Sequence, residues 1–117
     1  MRGIVPTYAS CIYIRQPAPL GLGHAVLCSR PAVGDEPFFI HLADDLIDAP
    51  EPCLKQMAEV FDEFNASILA IERVPKSTVG SYGIIAAEPV RNSKWNGRLF
   101  KVNDLVEKPS PSDAPSN

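Results

Sequence analysis

Two neighbouring carboxylates, Asp44 and Asp45, stand directly after the apolar run at residues 38–42. Magnesium prefers carboxylate oxygen and keeps much of its bound water, so one or two aspartates beside phosphate oxygens suffice to hold it. An Asp pair is also typical of a turn or a helix cap, because Asp is favoured in both. The pattern therefore indicates either a metal ligand or a structural turn.

A second group combines Gln16 with the sequence GLGH at residues 21–24. Glycines where a strand leads into a helix let the backbone approach a ligand closely, and the free N–H groups of the helix start are donors. The amide of Gln16 offers a donor and an acceptor to the edge of a base. The alternative is a tight turn that simply needs glycine, because short glycine motifs are weak signals. His24 in this position more often packs or caps than catalyses.

A third group comprises Gly83, in the sequence GSYG at residues 80–83, and Glu107-Lys108 in the sequence VEKP. Glycine at a strand start can admit a sugar ring against the backbone. Glu can accept from a pair of sugar hydroxyls, and Lys is a point charge for phosphate. On a regular strand the Glu and Lys side chains would lie on opposite faces. The alternatives are a flexible turn at the glycines and two solvated charges at a strand end.

The elements that must position these groups follow from the apolar pattern. Strands are predicted at residues 11–15, 38–42 and 67–72, and a hairpin at 82–87 and 99–106 around Asn96-Gly97. Helices are predicted from about 21 to 30, ended by Pro31, and from about Asp48 to Asn65. This order predicts an α/β layer with a mainly parallel sheet, whose ligands lie beyond the carboxyl ends of the strands.

Length, charge and cysteine content argue against nucleic-acid-binding and membrane-spanning proteins. The 117 residues allow one domain at most, with a Pro/Ser-rich loop at 109–117. A net charge of −3 and the lack of a basic run argue against nucleic-acid binding. Three widely spaced cysteines without a CxxC pair predict buried, reduced thiols in a cytoplasmic protein. No apolar run approaches the length that spans a membrane.

The order of these motifs closely resembles that in bacterial UTP–glucose-1-phosphate uridylyltransferases, also called UDP-glucose pyrophosphorylases. The segment at 13–26 is similar to the uridine-binding segment of that family. The sequences GDEPF at 34–38, LADDLI at 42–47, GSYG and VEKP occur in the family's order, as does APSN at 114–117. The resemblance extends over almost the whole chain, from about Ile4 onward.

The resemblance implies a Rossmann-like nucleotidyltransferase fold and the formation of UDP-glucose and pyrophosphate from UTP and glucose 1-phosphate with Mg²⁺. By the same resemblance, Gln16 and Gly21 contact uracil, and Gly23 and His24 belong to the same substrate-binding segment. Asp44 holds the metal with Asp45 nearby, Gly83 lies against glucose, Glu107 bonds its hydroxyls, and Lys108 holds the sugar phosphate. Asp44 and Lys108 are thus the implied catalytic residues.

The departures from the family limit this expectation. The family's first strand and its glycine-rich loop carrying Arg and Lys have no counterpart here, nor does its C-terminal part. The resemblance thus implies an internal piece of the domain that is marginally stable and inactive alone, from a family whose members commonly form homo-oligomers. Two alternatives stay open. One is a glucose-1-phosphate thymidylyltransferase, although the GLGH and LADD sequences favour the uridylyl enzyme. The other is a non-catalytic remnant that binds sugar nucleotides.

Overall fold

A computed structural model describes residues 8–91, 94–95 and 97–117 of the chain. These residues fall into two units, the first ending at Asn65 and the second spanning Ala66–Asn117. Ile4, where the family resemblance begins, and Asn96, half of the predicted hairpin signal, lie outside the described residues. The elements in chain order are α1 (Leu22–Cys28), α2 (Arg30–Val33), α3 (Cys53–Phe64), a 3₁₀ helix (Lys76–Ser81), β1 (Gly83–Pro89) and β2 (Phe100–Glu107).

The predicted helix at 21–30 is divided into two helices around Ser29. The prediction that Pro31 ends the helix was wrong, because Pro31 lies in the first turn of α2. An N–H in the first turn has no partner within the helix, so proline costs nothing there and its fixed φ suits the helix. Helix α2 ends at Gly34, whose φ of 70° begins the turn predicted at 34–37.

Helix α3 begins later than predicted and ends where predicted. Its N-cap is Pro52 rather than Asp48, and no side chain caps it. Asn65 ends it in the left-handed conformation, with φ of 47° and its N–H donating to the carbonyl of Phe61. Val60 is the one buried residue of the helix. The predicted apolar face is therefore only partly covered, with Leu54 and Phe64 each about two-fifths exposed.

Lys55, on the exposed face of α3, forms ion pairs with two glutamates. The ammonium of Lys55 lies 2.9 Å from a carboxylate oxygen of Glu51 and 3.6 Å from one of Glu59. The hydrogen bond to Glu51, with the charges of both carboxylates, raises the pKa of the Lys55 ammonium. Lys55 and Glu59 are neighbours on the helix because they are four residues apart, and their pairing supports α3 modestly, whereas Glu51 precedes the N-cap and connects the preceding chain to the first turn.

The hairpin is the element that the sequence predicted best. Strands β1 and β2 pair antiparallel, with Gly83 opposite Glu107 and Pro89 opposite Phe100. Gly97 has a φ of 75° in the connection between the strands, next to Arg98, whose N–H donates to the carbonyl of Trp95 at 3.0 Å; a positive φ in a turn suits glycine. The register shifts once: Ala86 lies opposite Asp104 but Ala87 lies opposite Val102. Asn103 is therefore an extra residue in β2, a β-bulge.

The second unit has a small core beneath this hairpin. Val79 is fully buried, and Ile84, Trp95 and Pro109 are also buried. The tail at 109–117 was predicted to be an unpatterned loop, yet side chains near its end bond to the rest of the unit. The Ser116 hydroxyl donates to the carbonyl of Ile85 at 2.7 Å, and the Asn117 amide donates to that of Val74 at 3.2 Å.

The three strands predicted at 11–15, 38–42 and 67–72 are irregular in the structure. Among the described residues the sheet is the antiparallel pair β1–β2, so the predicted mainly parallel sheet is not formed there. A strand needs a hydrogen-bonded neighbour, and these segments have none among the described residues of their units. Their apolar side chains are accordingly exposed, as at Ile12, which is 75% accessible, and Ile40, at 54%.

The three cysteines differ from the prediction in their exposure. The three thiols are free, as predicted, but Cys11 is exposed while Cys28 and Cys53 are partly exposed, so the expected burial was wrong. No helix within the described residues is both long and apolar enough to cross a bilayer.

Candidate functional site

The residues around Gln16 form a small hydrogen-bonded cluster in the first unit. The Gln16 amide nitrogen donates to the carbonyl of Gly21 at 3.1 Å and lies 2.9 Å from Nδ1 of His24. The same Gly21 carbonyl accepts from the backbone N–H of Ala25 at 3.2 Å, in the first turn of α1. The loop and the helix start are thereby joined through one carbonyl.

Gly21 and Gly23 have different structural roles. Gly21 has φ 90° and ψ 177°, a combination that is essentially restricted to glycine. This conformation fits the prediction that the junction needs glycine. Gly23 lies inside α1 with an ordinary φ, and a Cβ there would meet nothing within 4 Å. Neither the backbone nor the neighbouring atoms therefore require glycine at position 23.

His24 contacts the cluster with one ring nitrogen and the helix with the other. Its Nδ1 faces the Gln16 amide, and its Nε2 lies 3.9 Å from Sγ of Cys28, one turn further along α1. Gln16 and His24 are both partly buried. The structure thus places His24 against the predicted base-contacting side chain.

Asp44 and Asp45 lie in an exposed turn that follows the irregular segment at 38–42. The backbone N–H of Asp45 donates to the carbonyl of Leu42 at 3.3 Å, and Nε2 of His41 donates to the carbonyl of Asp45 at 3.0 Å. No hydrogen bond or ion pair within the described part of the chain engages either carboxylate.

These carboxylates fit the requirements of magnesium. Mg²⁺ is usually bound by one or two carboxylates with waters and substrate phosphates, rather than by a cage of protein ligands. Residues 8–91, 94–95 and 97–117 contain no cluster of three or more His, Cys, Asp or Glu suited to a metal. The donor set suits a metal that arrives with a phosphorylated substrate.

The third group lies at one end of the hairpin in the second unit. Gly83 is directly opposite Glu107, and a Cβ on Gly83 would lie 3.0 Å from Oε2 of Glu107. Such a distance is tighter than nine in ten real Cβ contacts, so the Glu107 carboxylate would have to move to admit a side chain there. The absence of a side chain at Gly83 therefore leaves room for the Glu107 carboxylate to lie across the strand.

Lys108 has an unusual backbone conformation immediately beyond the strand. Its φ is 48°, in the left-handed region, and its N–H donates to the carbonyl of Tyr82 at 2.9 Å. The left-handed residue ends the alternation of the strand. The strand is therefore not regular at Lys108, so the opposite-face arrangement expected of a regular strand does not apply, and the Lys108 ammonium lies 3.9 Å from Oε1 of Glu107. Both side chains are about two-thirds exposed, so the two charges are available to a ligand.

The predicted site residues thus form three local groups. The first unit brings together Gln16, Gly21 and His24, with Gly23 beside them, and separately carries Asp44 and Asp45. The second unit brings together Gly83, Glu107 and Lys108. Two positioning groups were not predicted from the sequence: His41, which holds the aspartate turn, and the Tyr82 carbonyl, which fixes Lys108. The four-residue spacing from His41 to Asp45 was the available signal for the first.

The amino-acid sequence matches a known protein family and curated proteins. Residues 7–117 match the family described as Nucleotidyl transferase. The chain is 45% identical over 108 residues to the UTP–glucose-1-phosphate uridylyltransferase YngB of Bacillus subtilis (strain 168), covering 92% of this chain and 35% of that protein. It is 48% identical over 107 residues to the UTP–glucose-1-phosphate uridylyltransferase of Pseudomonas aeruginosa, covering 90% of this chain and 37% of that protein. These relatives confirm the resemblance read from the motifs.

Solved structures give the same result for the fold. A UTP-bound UGPase from Acinetobacter baumannii is similar with a TM-score of 0.82 and 36% identity, over 97% of this chain and 39% of that one. A UDP-glucose pyrophosphorylase complexed with UDP-glucose is similar with a TM-score of 0.74 and 42% identity, over 83% and 36%. The predicted Rossmann-like nucleotidyltransferase class is confirmed. The chain spans little more than a third of the length of these proteins.

Proposed function

The chain belongs to the Nucleotidyl transferase family, and from that premise we propose that it carries the uracil-binding and sugar-phosphate-binding elements of a UTP–glucose-1-phosphate uridylyltransferase. In the reaction of such an enzyme a phosphate oxygen of glucose 1-phosphate attacks the α-phosphorus of UTP. The bond from that phosphorus to the bridging oxygen breaks as the new bond forms. Pyrophosphate leaves with the bridging oxygen, and UDP-glucose remains.

The observation that carries this proposal is the arrangement of Gly83, Glu107 and Lys108. A carboxylate lying across a side-chain-free position can accept hydrogen bonds from two adjacent hydroxyls of a sugar. An ammonium close by supplies a positive charge for the phosphate of that sugar. Because the Glu107–Lys108 pair is exposed, its own attraction is weak, and a charged ligand can replace it at little cost.

The Gln16 cluster supports the nucleotide half of the proposal. Gln16 presents a side-chain amide whose position is fixed by Gly21 and His24, so less conformational freedom is lost when a base binds. In this proposal Gln16 and Gly21 contact the uracil of UTP and UDP-glucose.

Asp44 would hold Mg²⁺ in this proposal, with Asp45 beside it. When bound, the metal neutralises phosphate charge and polarises the phosphoryl oxygens. The chain's own contribution is to position the substrates and to place charge, which is most of what nucleotidyl transfer needs from a protein. His41 keeps the aspartate turn in place through its bond to the Asp45 carbonyl.

The two alternatives can be separated. The relatives described above are named for uridylyl transfer, so thymidylyl transfer is not favoured. Binding of UDP-glucose without release of pyrophosphate is expected both of this chain and of a non-catalytic remnant, so turnover by a protein that also contains a glycine-rich Arg/Lys loop separates the two. Homo-oligomer formation and a cytoplasmic location stay predictions.

Calorimetric titration of the 117-residue chain with UDP-glucose tests the proposal, and Glu107→Gln is the informative variant. Hydrogen bonds to a charged acceptor contribute about 1.5–3 kcal/mol each, so binding should weaken by at least about tenfold. Glu88→Gln is the matched control, because Glu88 is an exposed carboxylate on the same hairpin, opposite Lys101. Equal weakening by both variants, or no binding by the unaltered chain, would contradict the proposal. A pyrophosphate-release assay on the same sample tests the prediction that these residues alone do not turn over.

A further inference from the structure

We propose that His24 is a positioning residue, which fixes the orientation of the Gln16 amide and so makes the base site selective for uracil over cytosine. The inference rests on the proposed function in one respect, namely that the Gln16 amide oxygen faces N3 of the base. It assigns His24 a role that acts through Gln16, rather than a direct contact with the substrate.

The Gly21 carbonyl settles which end of the Gln16 amide faces the cluster. A carbonyl oxygen can only accept, so the group 3.1 Å from it must be the amide nitrogen of Gln16 rather than the amide oxygen. The reverse orientation would bring two oxygens together. Gly21 in turn is held in place, because its carbonyl also accepts from the Ala25 N–H and its own conformation is restricted to glycine.

The same nitrogen determines the tautomer of His24. A side-chain amide nitrogen carries two hydrogens and is not an acceptor. Since it lies 2.9 Å from Nδ1 of His24, Nδ1 must accept, and the neutral ring carries its proton on Nε2. The Nε2–H then faces the Cys28 sulfur at 3.9 Å, which is a weak acceptor.

The consequence for a ligand concerns the amide oxygen of Gln16. Gly21 and His24 together use both amide hydrogens, so the group that Gln16 can offer to a base is an acceptor. Position N3 of uracil carries a hydrogen, whereas N3 of cytosine carries a lone pair. An acceptor facing N3 therefore attracts uracil and repels cytosine. Without His24, the amide nitrogen keeps its hydrogen bond to the Gly21 carbonyl, but its second hydrogen is freed and can turn toward the base as a donor.

Base selectivity of binding is the first test. The ratio of UDP-glucose to CDP-glucose affinity is measured calorimetrically for the unaltered chain, His24→Leu and His24→Asn. The ratio should fall by about tenfold in His24→Leu, which corresponds to about 1.4 kcal/mol. His24→Asn should recover most of it, because its side-chain oxygen can accept where Nδ1 does. Cys28→Ala is the matched control and should leave the ratio within about twofold, because both acceptors of the Gln16 amide remain.

The second test does not depend on any ligand. Nitrogen-15 NMR of the unaltered chain should show the neutral His24 ring protonated on Nε2 and unprotonated on Nδ1. A proton on Nδ1 would overturn the inference, and so would an unchanged affinity ratio in His24→Leu. If the unaltered chain binds UDP-glucose while the ratio does not respond, only the inference fails. If it binds no UDP-glucose, the proposed function fails and the selectivity claim with it.

Discussion

The backbone of Lys108 has a conformation that suits glycine better than a residue with a Cβ. We therefore expect replacement of Lys108 by Gly and by Ala to affect stability differently. Its φ of 48° is maintained from both sides, by the bond from its N–H to the Tyr82 carbonyl and by the buried Pro109 that follows. The left-handed conformation costs an L-residue about 1–2 kcal/mol. Glycine avoids that cost but loses about 0.4–1 kcal/mol through its more flexible unfolded chain. Lys108→Gly should therefore be more stable than Lys108→Ala by about 0.8 kcal/mol.

Trp95 provides the assay, because it is the chain's one tryptophan and is buried in the same unit as Lys108. Urea unfolding followed by its fluorescence should give a higher midpoint for Lys108→Gly than for Lys108→Ala, by somewhat under 1 M if the urea slope is about 1 kcal/mol/M. Lys101, exposed in β2 with an ordinary φ, is the matched control. There Gly should be less stable than Ala by about 0.5–1 kcal/mol. The reasoning is refuted if Gly and Ala rank in the same order at both positions.

Three further expectations follow from the geometry. Gly21→Ala should destabilise the first unit by about 1–3 kcal/mol, whereas Gly23→Ala should stabilise α1 by about 0.5–1 kcal/mol. Amide hydrogen exchange in α1 measures both effects. Equal effects would contradict the conclusion that Gly21, but not Gly23, needs to be glycine. Val79→Ala should destabilise the second unit by about 2 kcal/mol, because it removes two methyl groups from a fully buried site; an unchanged urea midpoint of Trp95 fluorescence would count against it. The raised pKa of Lys55 means that its contribution is present below the unfolded pKa and is lost as pH rises through the folded one. Circular dichroism should therefore show helix signal falling in alkaline solution, and less so in Glu51→Gln.

Local signals in the sequence predicted the hairpin and the end of α3 well. The hairpin depends on alternating residues and a glycine turn, and the end of α3 on one Asn in the left-handed conformation, all readable within a few positions. The strands at 11–15, 38–42 and 67–72 were predicted from equally local evidence, but a strand forms only against a partner. Pairing is set by residues distant in the chain, so local composition could not show that these segments have no strand partner among the described residues of their units.

In the candidate site, too, residue types could be predicted from local sequence but contacts between distant residues could not. Residue types and their order were sufficient to select Gln16, Glu107 and Lys108, because amide, carboxylate and ammonium groups have distinct chemistry. The contact between Gln16 and His24 spans eight residues and a change from loop to helix, and no periodic pattern encodes it. The left-handed conformation of Lys108 was equally hidden, because sequence rules assign such backbone angles to glycine and only tertiary contacts impose them on lysine.

The bulge at Asn103 determines which single-residue insertions and deletions in β2 keep Glu107 opposite Gly83. Between Asn103 and Glu107, inserting one codon would turn Glu107 to the other face of the hairpin, away from Gly83, because side chains alternate with a period of two. Loss of the Asn103 codon is different. It would convert the bulge into regular pairing, with Val102 still opposite Ala87 and Glu107 still opposite Gly83. The hairpin thus contains one place where a single-residue deletion leaves the carboxylate and its glycine facing each other.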